Sequence, residues 1–186
     1  MDLFEAIHCR QSIGKVKPDP IPEEFIDRIL DAAVQAPNHF RVRPWRFFVI
    51  SGTARERLGD VMAQSLLKRS PNCSLSDIQK ERSRPMRAPV IIAVSVDQPS
   101  EPKVVEIENV CAGAAAIQNM LLAAHALGLG AMWRTGKAAH DPEVKLFLGM
   151  QPDQHLIGFV YLGYPDMERE PPDRPSYHDR TAFIRE

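Results

Sequence analysis

Apolar and polar positions alternate along this chain with two different periods, and the switches between them mark out the elements. Leu3, Phe4 and Ile7 fall at helical spacing, so residues 2–9 read as a short amphipathic helix ending near Cys9 or Arg10. Gly14, Pro18, Pro20 and Pro22 then make the stretch from Gln11 to Pro22 an extended loop. Pro22 followed by Glu23 and Glu24 is a helix start: proline fits the first turn, and acids favour the positive end of the dipole. Phe25, Ile26, Ile29, Leu30, Ala33 and Val34 form one apolar stripe as far as Ala36, and Pro37-Asn38 stops it.

Short β-favouring runs come next. Trp45 to Ile50 reads as a buried strand bounded by Ser51-Gly52, and Thr53 caps a helix reaching about Lys68. Residues 70–88 are polar, basic and broken by proline. They predict a mobile surface excursion with a helical piece from Ser76 to Arg84. Val90 to Val96 is a second strand, and residues 104–127 form the longest helix. Gly128-Leu129-Gly130 turns the chain into a third strand over Ala131 to Trp133. Asp141-Pro142 opens a short helix, and Leu156 to Leu162 is a fourth strand. The tail from Gly163 to Glu186 is rich in proline and charge and has no core of its own. Helices alternating with a few apolar strands predict one α+β or α/β domain over residues 1–186, with strand order and direction open.

Composition narrows the classes of partner. With 23 basic and 24 acidic residues the formal charge is −1, so bulk charge does not point to nucleic acid or an anionic membrane. The longest weakly polar stretch, Cys111 to Trp133, is interrupted by Gln118, Asn119 and His125, and reads as a buried helix instead of a span. Residues 2–5 are acidic, without the basic start and apolar run of a signal peptide. Cys9, Cys73 and Cys111 lack any paired spacing, which argues for reduced structural cysteines in a cytoplasmic protein and against a disulfide framework or zinc site.

Three segments carry candidate chemistry. Arg10-Gln11-Ser12 offers a planar guanidinium fork and a hydroxyl that fit a phosphate, although a cation ending a helix suits the dipole equally well. The loop from Ala36 to Phe47 gathers His39, Arg41, Arg43 and Arg46, cations that repel one another unless an anion or carboxylates lie near; a solvated basic loop is the alternative. Trp133-Arg134-Thr135-Gly136 follows a strand and puts backbone N–H groups and a hydroxyl at a sheet end, as an ordinary turn also does. Gly128-x-Gly130 precedes a strand and lacks a third glycine, so it is no dinucleotide fingerprint. The six histidines show no metal spacing, and no nucleophile elbow or phosphate-binding P-loop occurs.

Taken together, these segments resemble the nitroreductase family, most closely its compact bacterial NAD(P)H-dependent type. The resemblance rests on Arg10-x-Ser12 after a short helix and Ala36-Pro37-x-His39 followed by Pro44-Trp45-Arg46-Phe47-Phe48-Val49-Ile50. Trp133-Arg134-Thr135-Gly136 and Gly158 to Gly163 complete it. It implies an α+β fold with a central, mainly antiparallel sheet flanked by helices, and a homodimer with FMN in two interface clefts. It also implies a C-terminal tail, about 163–186, packed on the partner. Arg10, Gln11 and Ser12 would hold the phosphate and ribityl end, and Trp133, Arg134 and Thr135 would line the same subunit's side. Gln35 and His39 would approach from the partner. Relatives often carry arginine at position 35 and glutamine at 43, and larger ones asparagine at 41; Gln35, Arg43 and Arg41 give this chain a different polar shell. The implied activity is ping-pong transfer of hydride from NAD(P)H through FMN to a small electron-poor acceptor. No residue of the chain is expected to carry the chemistry itself, and no metal is expected. A flavin-storage dimer and a flavin-fragmenting or dehalogenating enzyme are the alternatives.

Overall fold

A strand buried along its whole length has to sit inside a sheet covered on both faces. Val90–Val96 is that strand, with every residue buried. The computed structural model describes residues 1–167, 170 and 173–185. In chain order its strands are β1 (Trp45–Ser51), β2 (Val90–Val96), β3 (Gly130–Arg134) and β4 (His155–Gly163). They form one sheet in the order β1-β2-β4-β3, and every pairing is antiparallel. The α-helices are α1 (Leu3–Cys9), α2 (Glu23–Val34), α3 (Thr53–Arg69), α4 (Leu75–Arg82), α5 (Glu106–Ala126) and α6 (Pro142–Phe147). The architecture is α+β, with helices on both faces of an antiparallel sheet.

Side-chain alternation on the sheet separates two cores. Ile92 and Val94 of β2, with Val160 and Leu162 of β4, meet Ile29 and Ala33 of α2 and Ala116, Ile117 and Met120 of α5. Ile91 and Ala93, with Phe159 and Tyr161, meet Leu58 and Met62 of α3 and Val144 of α6. The alternation in β4 reverses at Gly158. Val94 stands opposite Gly158 but Ser95 opposite Leu156, so Ile157 is an extra residue in the strand. Leu156 therefore joins the α3/α6 core while Ile157 faces α5. This is the effect of a β-bulge: one inserted residue turns the preceding side chains to the other face. Among the described residues α5 is the one helix long and apolar enough to cross a membrane. It is used here as the core helix between α2 and the sheet.

Two surface regions differ from the sequence reading. The first helix forms, with Asp2 and Glu5 closing a capping box, but its apolar stripe faces outward. Leu3, Phe4 and Ile7 are 62%, 70% and 43% exposed, and only Ala6 is buried. Residues 70–88, expected to be mobile, are instead folded into α4 and a 3₁₀ turn at Arg84–Arg87. Ser74 and Asp77 cap α4 reciprocally. Its end packs against α3 at Gly59, where a Cβ would stand 2.2 Å from the Arg82 carbonyl oxygen, so the approach needs glycine. On the same side, buried Asp141 caps α6 by accepting from the Glu143 N–H (3.0 Å), accepts from the Ser65 hydroxyl, and pairs with Arg69 at 3.3 Å.

Candidate functional site

The loop after α1 is tied to the far end of the chain. Ser12 makes a parallel bridge to Ala131, Ile13 N–H donates to the Ala131 carbonyl (3.0 Å), and Val16 bridges Pro165. Lys17 N–H donates to the Tyr164 carbonyl at 2.8 Å and Asp166 N–H to that of Lys15 at 3.1 Å. Arg10, just before this strap, has its Nε buried without a partner among the described residues. Arg174 donates to the Arg10 carbonyl at 2.9 Å. Burial first, and then the Arg174 charge, push the Arg10 pKa below its ordinary value. No carboxylate pairs with either arginine among the described residues. The adjoining cavity of about 400 Å³ is lined by Cys9, Arg10, Gln11, Leu121, His125 and Leu129 among others, and His125 Nε2 also lacks a partner there. Two cations side by side, one with an orphaned buried donor, fit a phosphate group better than a dipole-capping role.

At the other end of β3, adjacent side chains diverge to opposite faces. Trp133 turns towards α5 beside Val110, Ala114 and Ile157 in a cleft of about 410 Å³. Its indole N–H donates to the Ile157 carbonyl at 3.3 Å. The bulge fixes this contact, because a Cβ on Gly158 (φ +151°) would lie 2.4 Å from Trp133 Nε1. Arg134 turns the other way, its guanidinium 5.3 Å from the Tyr161 ring centroid, with Nε buried and unpartnered. It shares a cleft of about 270 Å³ with Lys80, Arg84, Arg87 and Tyr161. Burial, then repulsion from Arg87 and Arg84, lowers the Arg134 pKa, while burial raises that of Tyr161. Thr135 lines both clefts. A Cβ on Gly14 would be 3.7 Å from Arg134 Nη2, so this arginine reaches back to the N-terminal strap.

The expected site residues thus divide into two groups. Arg10, Gln11 and Ser12 lie along one edge of β3, and Trp133, Arg134 and Thr135 at its end. Gln35 and His39 stand apart from them. Gln35 ends α2 and donates to the Asp31 carbonyl at 3.3 Å. His39 pairs with Glu108 at 2.7 Å and stacks on Phe40, ring centroids 4.4 Å apart. That hydrogen bond is the main cause of a lowered Glu108 pKa. Phe40, Arg41 and Arg43 all take positive φ, at 48°, 55° and 50°, and the Arg43 N–H is held by Asn38 Oδ1 at 2.8 Å. Three non-glycine residues in that region form a strained turn of the sort that gathers at ligand sites. Glu108 lies near the N-terminal end of α5, whereas the Arg10 cavity is at Leu121 and His125. The 17 residues from Glu108 to His125 span about 26 Å of helix. Val110, beside Trp133, is two positions from Glu108 and so on the opposite face of α5.

Sequence reasoning missed Lys80, Arg84, Arg87, Tyr161 and Arg174. The excess of cations in residues 70–88 was the available signal, and reading that segment as mobile hid it.

Comparisons with known proteins bear on the family and the fold. The model of the family described as "Nitroreductase family" matches residues 7–164. A protein of Escherichia coli K12 named as a candidate NAD(P)H nitroreductase, YdjA, is 34% identical over 169 residues, covering 90% of this chain and 91% of its own. A nitroreductase-like protein from Bacillus cereus shares the fold with a TM-score of 0.84 at 23% identity, over 99% of this chain and 96% of its own. A nitroreductase candidate from Desulfovibrio desulfuricans, solved in complex with FMN, is 29% identical with a TM-score of 0.70, over 92% and 91% of the two chains. By the extent of the family match and the identity to its E. coli relative, this chain belongs to the nitroreductase family.

Proposed function

We propose that this protein is an FMN-dependent oxidoreductase that passes hydride from NAD(P)H to a small electron-poor acceptor, such as a nitroaromatic or a quinone. It works by a ping-pong scheme as a homodimer in the cytoplasm. The observation that carries the reading is the orphaned Arg10 Nε beside Arg174, at the start of a strap laid along β3. Arg10 and Ser12 supply a charged fork and a hydroxyl for the FMN phosphate, and Gln11 a polar contact for the ribityl chain. Trp133 and Thr135 flank the ring with an apolar surface and a hydroxyl, and Arg134, whose side chain turns to the other face of β3, contributes its backbone. When bound between these residues, FMN would supply the redox chemistry, taking hydride from the dinucleotide and passing it to the acceptor. The chain's task is to bind, orient and shield.

Gln35 and His39 complete the cleft of the partner subunit: His39, through Glu108, lies across α5 from Trp133 and about 26 Å along it from Arg10. The outward apolar side chains of α1, together with Val105 and Ile107 at 52% and 61% exposure, give the partner a surface to cover. Packing of the tail on the partner belongs to the same reading. Its exposed Phe183 and Ile184 suit such a role. The three free cysteines suit a reducing compartment.

The test is direct. Protein purified without added flavin, or reconstituted, is heated and the released ligand identified by mass spectrometry; FMN is the expected species. Anaerobic NADH or NADPH should then bleach the bound flavin. Release of FAD, or no flavin after reconstitution, refutes the reading, and bound FMN that neither dinucleotide bleaches indicates a storage dimer.

A further inference from the structure

We propose that the cleft beneath Arg134 is a phosphomonoester-binding subsite, filled by the 2′-phosphate of NADPH, which makes the phosphorylated dinucleotide the preferred electron donor. This rests on the reading that a pyridine nucleotide reduces bound FMN, and it adds the feature of the donor that this chain selects.

Charge is the first argument. Lys80, Arg84, Arg87 and Arg134 converge on one cleft from α4, the turn after it and β3. Arg84 is held by Glu81 at 3.1 Å, while Lys80, Arg87 and Arg134 have no carboxylate partner among the described residues. Three unpaired cations in a small space repel one another until an anion enters, and a dianion answers them better than the singly charged phosphates of the dinucleotide's diester bridge. Burial first, and then repulsion from Arg87 and Arg84, holds the Arg134 pKa below its ordinary value.

Donor geometry is the second. Arg134 Nε is buried with no partner among the described residues, so a desolvated donor is left for a ligand to satisfy. Tyr161 is 7% exposed and its hydroxyl is kept protonated by burial, so it adds a neutral donor. Size and place are the third. At about 270 Å³ the cleft is smaller than a usual whole-ligand site of roughly 300–1,000 Å³, and it suits one substituent of a larger molecule. It shares Thr135 with the Trp133 cleft, where the ring is assigned, yet lies at the opposite end of β3 from Arg10. Four strand steps from Gly130 to Arg134 separate the two by about 13 Å. The FMN phosphate therefore has its own cations, and those at Arg134 remain for a second phosphate.

The experiment uses the purified full-length protein and the double variant Lys80→Gln/Arg87→Gln, both exposed side chains whose replacement leaves the cores intact. Binding of adenosine 2′,5′-bisphosphate and of AMP is measured by calorimetry, with FMN affinity determined separately. Wild type should bind the bisphosphate at least about tenfold more tightly than AMP, and the double variant should lose that difference. FMN affinity should be unchanged, and the KM ratio of NADH to NADPH should fall by a similar factor in the variant. Equal binding of the two nucleotides by wild type overturns the proposal. Loss of FMN affinity in the double variant overturns it as well, since the cleft would then hold the cofactor's own phosphate. A protein that never binds flavin but still prefers the bisphosphate would refute the oxidoreductase reading and leave the subsite standing.

Discussion

Two inactive variants should restore each other if the flavin cleft is built from both subunits. Arg10→Glu puts an anion where the phosphate is assigned, and His39→Glu puts one beside Glu108, with which His39 now pairs at 2.7 Å. The structure sets the scale. Along α5, about 26 Å separate the level of His39 from that of Arg10, too far for both to touch one phosphate or one ring edge within a chain. In a two-fold dimer each cleft takes one wall from each protomer. When the variants are unfolded, mixed and refolded, random pairing gives about half heterodimers, and each heterodimer has one cleft with both changes and one with neither. About a quarter of all sites should then bind FMN, read from flavin absorbance per protein, with activity recovering in proportion. If mass spectrometry proves heterodimers and the parents are empty, yet no flavin returns, the shared cleft is wrong: both residues serve one chain's site, or one of them serves none.

Other consequences are local. Arg10→Ala should weaken FMN binding by about 10- to 150-fold, the worth of a charge-assisted hydrogen bond, while the melting temperature of the flavin-free protein holds; unchanged affinity would return Arg10 to capping α1. Gly158→Ala should cost about 2 kcal/mol in urea unfolding and disturb Trp133 fluorescence, because the new methyl would meet the indole at 2.4 Å; an unshifted midpoint would contradict the bulge. Asp141→Ala removes the α6 cap and strips Ser65 and Arg69 of their partner, for an expected loss of about 2–4 kcal/mol in the same assay, and a loss under 1 kcal/mol would show the cluster to be incidental. The Glu108 carboxyl is held below its ordinary pKa by His39, so its contribution is complete above the unfolded carboxylate pKa of about 4.3 and fades as pH falls through the lower folded value. Hydrogen exchange in residues 38–43 should therefore quicken only at acid pH below that range, and a change centred near neutrality would count against Glu108 as the cause.

Much of the frame was legible because some segments admit one solution. Val90 to Val96 has too few polar residues to face water, so it had to be a covered strand, and the Ala-rich run of α5 had to be a core helix. Arg10, Ser12 and Trp133 to Thr135 were legible as a group only through resemblance; singly, each fits a turn. Pairing order was not legible, because β2 lies beside β4 and β1 through contacts that no local pattern encodes. The bulge was hidden for the same reason, as Gly158 reads like any strand glycine until Trp133 is placed against it. Periodicity found α1 but not its direction: Leu3, Phe4 and Ile7 mark an apolar face without saying whether this chain or another covers it. Around Lys80 and Arg87 the polar composition outweighed the caps at Ser74 and Asp77, and a built cleft was read as a solvated segment.

The strap from Ser12 to Lys17, joined to Ala131, Tyr164 and Pro165, makes the order of synthesis matter. Its partners are translated about 120 to 150 residues after it. At about 5–20 residues per second the ribosome therefore takes roughly 6–30 s to supply them. During that time α1 and Arg10 wait with nothing to dock on, and α1 meanwhile exposes Leu3, Phe4 and Ile7. On the proposed reading, the nascent chain would complete its flavin site only when almost all of it has emerged. If FMN is the cofactor, any rescue of destabilised variants by added flavin is expected to act after translation and not on the early helices.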